Sequence, residues 1–90
     1  MHKDFECHIT LRDNATAAKE AVRKLGGGWK FSCIDGDPLF GEEVLCYATN
    51  HFAWQTDAYQ GIDQAVYELK TLGMTVIRSK IEHVIEDIRY

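Results

Sequence analysis

No Cys-x-x-Cys pair occurs in this chain, and its three cysteines, Cys7, Cys33 and Cys46, are widely spaced. That pattern argues against a zinc knuckle or a disulfide framework and predicts buried free thiols. No apolar run approaches the roughly 18 residues that a membrane-crossing helix requires. The first residues, Met1 to Glu6, lack the apolar stretch of a signal peptide, so the cytoplasm is the expected location and no membrane partner is expected. An excess of positive charge is also missing. Ten Lys and Arg stand against fourteen Asp and Glu, a formal net charge of −4. General nucleic-acid binding, which rests on phosphate neutralisation, is therefore disfavoured. Internal repeats, low-complexity segments and linkers are absent, and residues 1–90 read as one domain. A chain this short buries roughly 60–65% of its unfolded surface, enough for one modest core.

What is present alternates. In Phe5-Glu6-Cys7-His8-Ile9-Thr10-Leu11 the apolar residues share one side and Glu6, His8 and Thr10 the other, which predicts a half-buried strand. Asp13 or Asn14 then caps a helix over Ala15–Leu25, with Ala15, Ala18, Ala21, Val22 and Leu25 as its apolar stripe. Gly26-Gly27-Gly28 ends it. A strand is predicted from Trp29 to Ile34, followed by the turn Asp35-Gly36-Asp37-Pro38 and a returning strand from Val44 to Thr49. Asn50 to Gln55 reads as an irregular loop. Thr56 or Asp57 opens a second helix to Leu72, with Tyr59, Ile62, Val66 and Leu69 as its stripe, widened by Ala58, Ala65 and Leu72. Gly61 in its first turns costs about 1 kcal/mol relative to alanine. The last strand runs from Thr75 to Glu82, with Ile77 and Ile81 on one side and Arg78, Lys80 and Glu82 on the other. The tail from His83 to Tyr90 carries Val84, Ile85 and Ile88 at helical spacing and predicts a short C-terminal helix.

The order β-α-β-β-α-β predicts an α+β, ferredoxin-like sandwich: a four-stranded antiparallel sheet with both helices on one face. Right-handed crossovers put the first and third strands in the centre and pair the last with the first.

Such a sheet leaves one face uncovered. The alternation sends Glu6, His8 and Thr10 to that face, with Lys30 and Ser32, with Tyr47, Thr49 and His51, and with Arg78, Lys80 and Glu82. An open antiparallel face in water is polar in any case. These residue types, however, are those that bind phosphate or move protons, and His8 and Tyr47 come from central strands. Arg78, Lys80 and Lys30 would neutralise an anion. His8, Thr10, Tyr47 and Thr49 would supply directed hydrogen bonds. Glu6 or Glu82 would orient the cations, and Trp54, beside His51, could stack on a base. The expected partner is thus a small anionic molecule, phosphorylated or nucleotide-like.

Two other functions compete. His8 could be the general acid or base of an enzyme on the same face. The apolar tail could drive homo-oligomerisation of a chain this small. His8, His51 and Glu6 or Glu82 are possible metal ligands, but no tight ligand spacing supports a centre, and neither a metal nor another cofactor is expected.

Two resemblances attach to these residues. His8-Ile9-Thr10 resembles one copy of the His-x-Thr/Ser signature of the two-histidine phosphoesterases, which use two copies, one as base and one as acid. The later candidate, His51-Phe52-Ala53, lacks the hydroxyl. Phe5-Glu6-Cys7-His8-Ile9-Thr10, the Trp29-Lys30-Phe31-Ser32 strand with Asp35-Gly36-Asp37-Pro38, and Arg78-Ser79-Lys80-Ile81-Glu82 together resemble a set of small uncharacterised bacterial and phage proteins. That resemblance implies no activity.

Overall fold

The structure, a computed structural model, describes residues 5–34 and 45–84. Its elements are β1 (Phe5–Leu11), α1 (Ala15–Leu25), β2 (Lys30–Ile34), β3 (Leu45–Phe52), α2 (Gln55–Thr71) and β4 (Val76–His83). The four strands form one antiparallel sheet in the order β2-β3-β1-β4, so β1 and β3 are central and β4 pairs with β1. The expected turn at 35–38 and the tail from Ile85 onward, where a C-terminal helix was expected, lie outside the described residues. His83, expected to open that helix, belongs to β4 instead. Among the described residues no helix is long and apolar enough to cross a membrane.

The apolar half of each alternation meets the helices. Cys7, Ile9 and Leu11 from β1 and Cys46 and Ala48 from β3 form one buried cluster with Ala18, Ala21 and Val22 of α1 and Ala58, Ile62, Ala65 and Leu69 of α2. Both helices therefore cover the same sheet face. Small alanines on the helices let their backbones sit close to the sheet, and the larger Ile9, Leu11, Leu69 and Val22 fill the space between. On α2 the buried residues recur at intervals of four, three and four. Tyr59 falls beside that stripe and is exposed, as is Leu72; both were expected inside.

Local chemistry sets the element ends. Asn14, the second of the two cap candidates, accepts a hydrogen bond from the Ala17 amide through Oδ1 at 2.8 Å. Asp13 serves a different connection, accepting from the Thr75 amide at 2.7 Å and so tying the start of α1 to the entrance of β4. The second helix starts at Gln55 rather than Thr56 or Asp57, and Trp54 at its N-cap makes no side-chain capping bond.

Three expectations are corrected here. First, the strand does not give way to a loop at Asn50 but continues to Phe52. Asn50 faces the helices and is nearly buried; its Nδ2 donates to the Gly27 carbonyl at 2.9 Å, and its Oδ1 accepts from the His51 amide at 2.8 Å. An amide so satisfied is tolerated in a strand interior. The close approach also explains Gly28, which has φ +89° and whose missing Cβ would stand 3.1 Å from Asn50 Oδ1.

Second, Ile77 does not simply alternate. Thr10 pairs with Arg78 but Leu11 pairs with Val76, so Ile77 is the extra residue of a β-bulge.

Third, the cysteines are not three free thiols. Cys33 and Cys46 are direct cross-strand partners in β2 and β3 and form a disulfide, while Cys7 is buried and free. The expectation failed because cross-strand register cannot be read from spacing. A cross-link closing a loop of this size stabilises by about 3 kcal/mol, so dithiothreitol should lower the melting temperature. Burial pushes the Cys7 thiol above its ordinary pKa, so it should resist alkylation until the domain unfolds. An unchanged melt after reduction, checked by thiol mass labelling, would remove the disulfide from the stability account.

Gly61 also behaves against its propensity. A Cβ there would lie 2.5 Å from Cζ of Phe52. That ring is flanked by Trp29 in an edge-on contact with centroids 6.3 Å apart. Gly61→Ala should therefore lower stability by about 1 kcal/mol, because overpacking of about 1–3 kcal/mol outweighs the helix gain of about 1 kcal/mol. The same change in a Phe52→Leu background should raise it. A higher melting temperature for the single variant would show that the ring yields freely.

Candidate functional site

The sheet face opposite the helices is built in rows by the strand register, and Leu45, on the same side beyond the third row, is fully buried. His51 of β3, Glu6 of β1 and Glu82 of β4 lie side by side in the first row. Lys30, Thr49, His8 and Lys80 form the second. Ser32, Tyr47, Thr10 and Arg78 form the third. Neighbours within a row are about 5 Å apart and successive rows about 7 Å, since same-face residues are two positions apart along a strand. All eleven sheet residues expected on this face are there. The face is also sorted: carboxylates and an imidazole at one end, hydroxyls and an arginine at the other, His8 between them.

His8 is the best-held side chain of the face. Its Nε2 lies 2.9 Å from Glu6 Oε1, and its Nδ1 lies 3.2 Å from Thr49 Oγ1. With the imidazole neutral, Nε2–H donates to Glu6 and Nδ1 accepts from the Thr49 hydroxyl. The ring is thereby fixed in position and tautomer. His8 and Glu6 are each 28% exposed, so water reaches them but does not surround them. The other Glu6 oxygen, Oε2, lies 3.5 Å from His51 Nε2, so one carboxylate serves two imidazoles.

Lys80 and Glu82, neighbours on the outer side of β4, form an ion pair. The Lys80 ammonium holds the Glu82 carboxyl below its ordinary range, by hydrogen bond and by charge, with further help from His8 and Arg78 and opposed by burial. Glu82 is thus ionised at neutral pH. The pair's contribution is present above the ordinary carboxylate pKa and is lost as pH falls through the lowered value. The Arg78 side chain makes no hydrogen bond or ion pair among the described residues, although its charge acts on Glu82.

An open depression of about 260 Å³ lies on this face, lined by His8, Thr10, Tyr47, Arg78, Lys80 and Glu82. Thr10 is only 7% exposed. It forms the floor between Tyr47 and Arg78, its two cross-strand partners.

The remaining candidates stand apart. Thr49 and Glu6 act on His8 from beside the depression. Lys30 and Ser32 lie on the outer strand β2, beyond β3, and do not line it. Trp54 is 71% exposed at the start of α2 and does not line the depression either, so it provides no stacking wall there.

The structure also groups Glu6, His8 and Glu82, each offering one ligand atom within 4.8 Å of the others. The sequence names these residues as possible ligands, but with Glu82 on a strand more than seventy residues away their spacing gives a centre no support. Comparison with protein-family models and with curated proteins finds no match for the chain.

Proposed function

We propose that this chain is a ferredoxin-like βαββαβ sandwich that binds a small phosphorylated or nucleotide-like anion on its open sheet face. The strand order supports the fold reading: taken from the other edge it runs β4-β1-β3-β2, with both helices on one side. The observation that carries the functional reading is the depression, in which Arg78 and Lys80 meet His8, Thr10 and Tyr47. The Arg78 side chain has no hydrogen bond or ion pair among the described residues to give up, and its planar guanidinium suits bidentate recognition of phosphate. Thr10 and Tyr47 offer hydroxyls from two further strands. A volume of about 260 Å³ lies just under the usual range for small-molecule sites, which favours a phosphate with one attached ring over an extended dinucleotide.

The test is mass spectrometry of small molecules released by denaturing the purified protein, followed by calorimetric titration with inorganic phosphate and AMP. A co-purifying phosphorylated compound, or saturable binding of either probe, is the expected result. No released anion and no saturable binding at low salt would overturn the reading.

A second reading, an acid–base enzyme, draws on His8 itself. Carboxylate, imidazole and hydroxyl stand in the order Glu6, His8, Thr49, the arrangement by which a base is oriented toward a hydroxyl group. Arg78 and Lys80 would stabilise developing negative charge. On that reading His8→Ala lowers turnover of a phosphoester substrate about 10²–10⁴-fold while leaving binding largely intact. Equal losses in both would return His8 to a binding role.

A further inference from the structure

We propose that the carboxylate end of the open face is a site for a divalent transition metal, with Glu6, His8 and Glu82 as ligands and His51 as a fourth. Glu6 and Glu82 are direct cross-strand partners. Like charges so placed repel, and a shared cation is one way to relieve the repulsion. On the other side of Glu6 its direct partner is His51. One row across three strands therefore presents imidazole, carboxylate and carboxylate, and His8 adds a second imidazole from the next row.

The spacing fits. Ligand atoms on a tetrahedron with arms of ~2.0–2.1 Å are about 3.3–3.4 Å apart. The His8 Nε2–Glu6 Oε1 separation, 2.9 Å, is close to that value. His51 Nε2 stands 3.5 Å from the other Glu6 oxygen, outside the group of three, and must swing toward it to complete the set. The Glu82 carboxylate lies within 4.8 Å of the Glu6 and His8 ligand atoms and needs a side-chain adjustment to close. It would leave Lys80 to do so, and Lys80 would then be free to face an anion.

The outer contact of His8 is of the kind metal-bound histidines make. With Nε2 on the metal, Nδ1 carries the proton and donates it to Thr49 Oγ1, 3.2 Å away. Metal replaces the proton that otherwise sits between His8 and Glu6. The metal-bound state and the imidazole–hydroxyl relay are thus exclusive uses of one side chain. Two nitrogens and two carboxylates suit zinc, which tolerates this mixed donor set.

The experiment is titration of the disulfide-intact protein with Zn²⁺ by calorimetry and with Co²⁺ by visible absorption. One equivalent should bind, with the intense d–d bands of a tetrahedral cobalt centre, and Zn²⁺ should raise the melting temperature. Glu6→Gln and His8→Ala should each lower affinity more than 100-fold. Thr49→Val, which changes only what holds the ring, should lower it about 10-fold. Lys30→Ala should leave it unchanged. All these side chains lie on the uncovered face, and circular dichroism will show that the variants fold. The proposal is overturned if Zn²⁺ leaves the melting temperature unchanged, or if Glu6→Gln and His8→Ala bind as the parent does. The site does not depend on the anion reading. Glu82→Gln separates the two, since it should weaken Zn²⁺ and strengthen phosphate.

Discussion

Replacing Ile9 by aspartate should leave no folded domain at 25 °C. Ile9 has no exposed surface and sits on β1, with β3 and β4 on either side and the helices above. Its cross-strand partners are Ala48 and Ser79, neither of which can neutralise a carboxylate. Substitutions that bury an unpaired charge fall at the far end of the mutational range, above about 4–5 kcal/mol, and a small domain has about 5–15 kcal/mol in all. Loss of the cooperative melt and of amide dispersion in the proton NMR spectrum is the expected outcome. Ile9→Val, which only trims a methyl group, should cost about 0.5–1.5 kcal/mol and stay folded. His8→Asp, one residue earlier but on the open side, should also fold. If Ile9→Asp melts cooperatively near the parent temperature, the assignment of sheet faces is wrong.

Arg78→Ala should weaken phosphate or AMP binding about 10- to 100-fold, the loss expected when hydrogen bonds to a charged group disappear. Lys80→Ala should cost less, because Lys80 already serves Glu82. Glu82→Gln should act in the opposite direction and tighten phosphate binding about 3-fold, the scale of removing an exposed like charge. Calorimetry at low salt reads all three. Identical affinities across the series would place the anion elsewhere on the molecule, and Glu82→Gln alone weakening phosphate would make Glu82 a hydrogen-bond acceptor for the ligand.

Much of this architecture is legible in the chain. The period-two pattern from Phe5 to Leu11 and around Arg78, Lys80 and Glu82 assigns these residues to faces, because one face of the sheet packs on the helices. The helices are marked by their alanine-rich stripes and by the Asn14 cap. What the chain does not display is register. That Cys33 meets Cys46, that Glu6 meets Glu82, and that His8 reaches Thr49 are consequences of pairing between strands far apart in sequence. Composition also misled at Asn50, a residue type disfavoured in strands. The Gly27 carbonyl that satisfies Asn50 comes from a turn more than twenty residues away, so no local signal could reveal it. Tyr59 fits an apolar stripe on paper, but its position beside the Ala58–Ile62–Ala65–Leu69 line turns it to solvent.

The bulge at Ile77 makes β4 a text with a tolerated frameshift. Downstream of it, even positions spell the open face and odd positions face the helices; at Val76 the parity reverses, so that an even position lies opposite the inward Leu11. Insertions or deletions of one residue between Met74 and Ile77 can be absorbed there without changing what Arg78, Lys80 and Glu82 present. The same edit between Arg78 and Glu82 would exchange the two vocabularies, sending charges into the core and Ile81 into water. Length changes are therefore tolerated only ahead of Arg78, at the entrance to this strand, and the chemistry of the face can drift by substitution while its phase cannot.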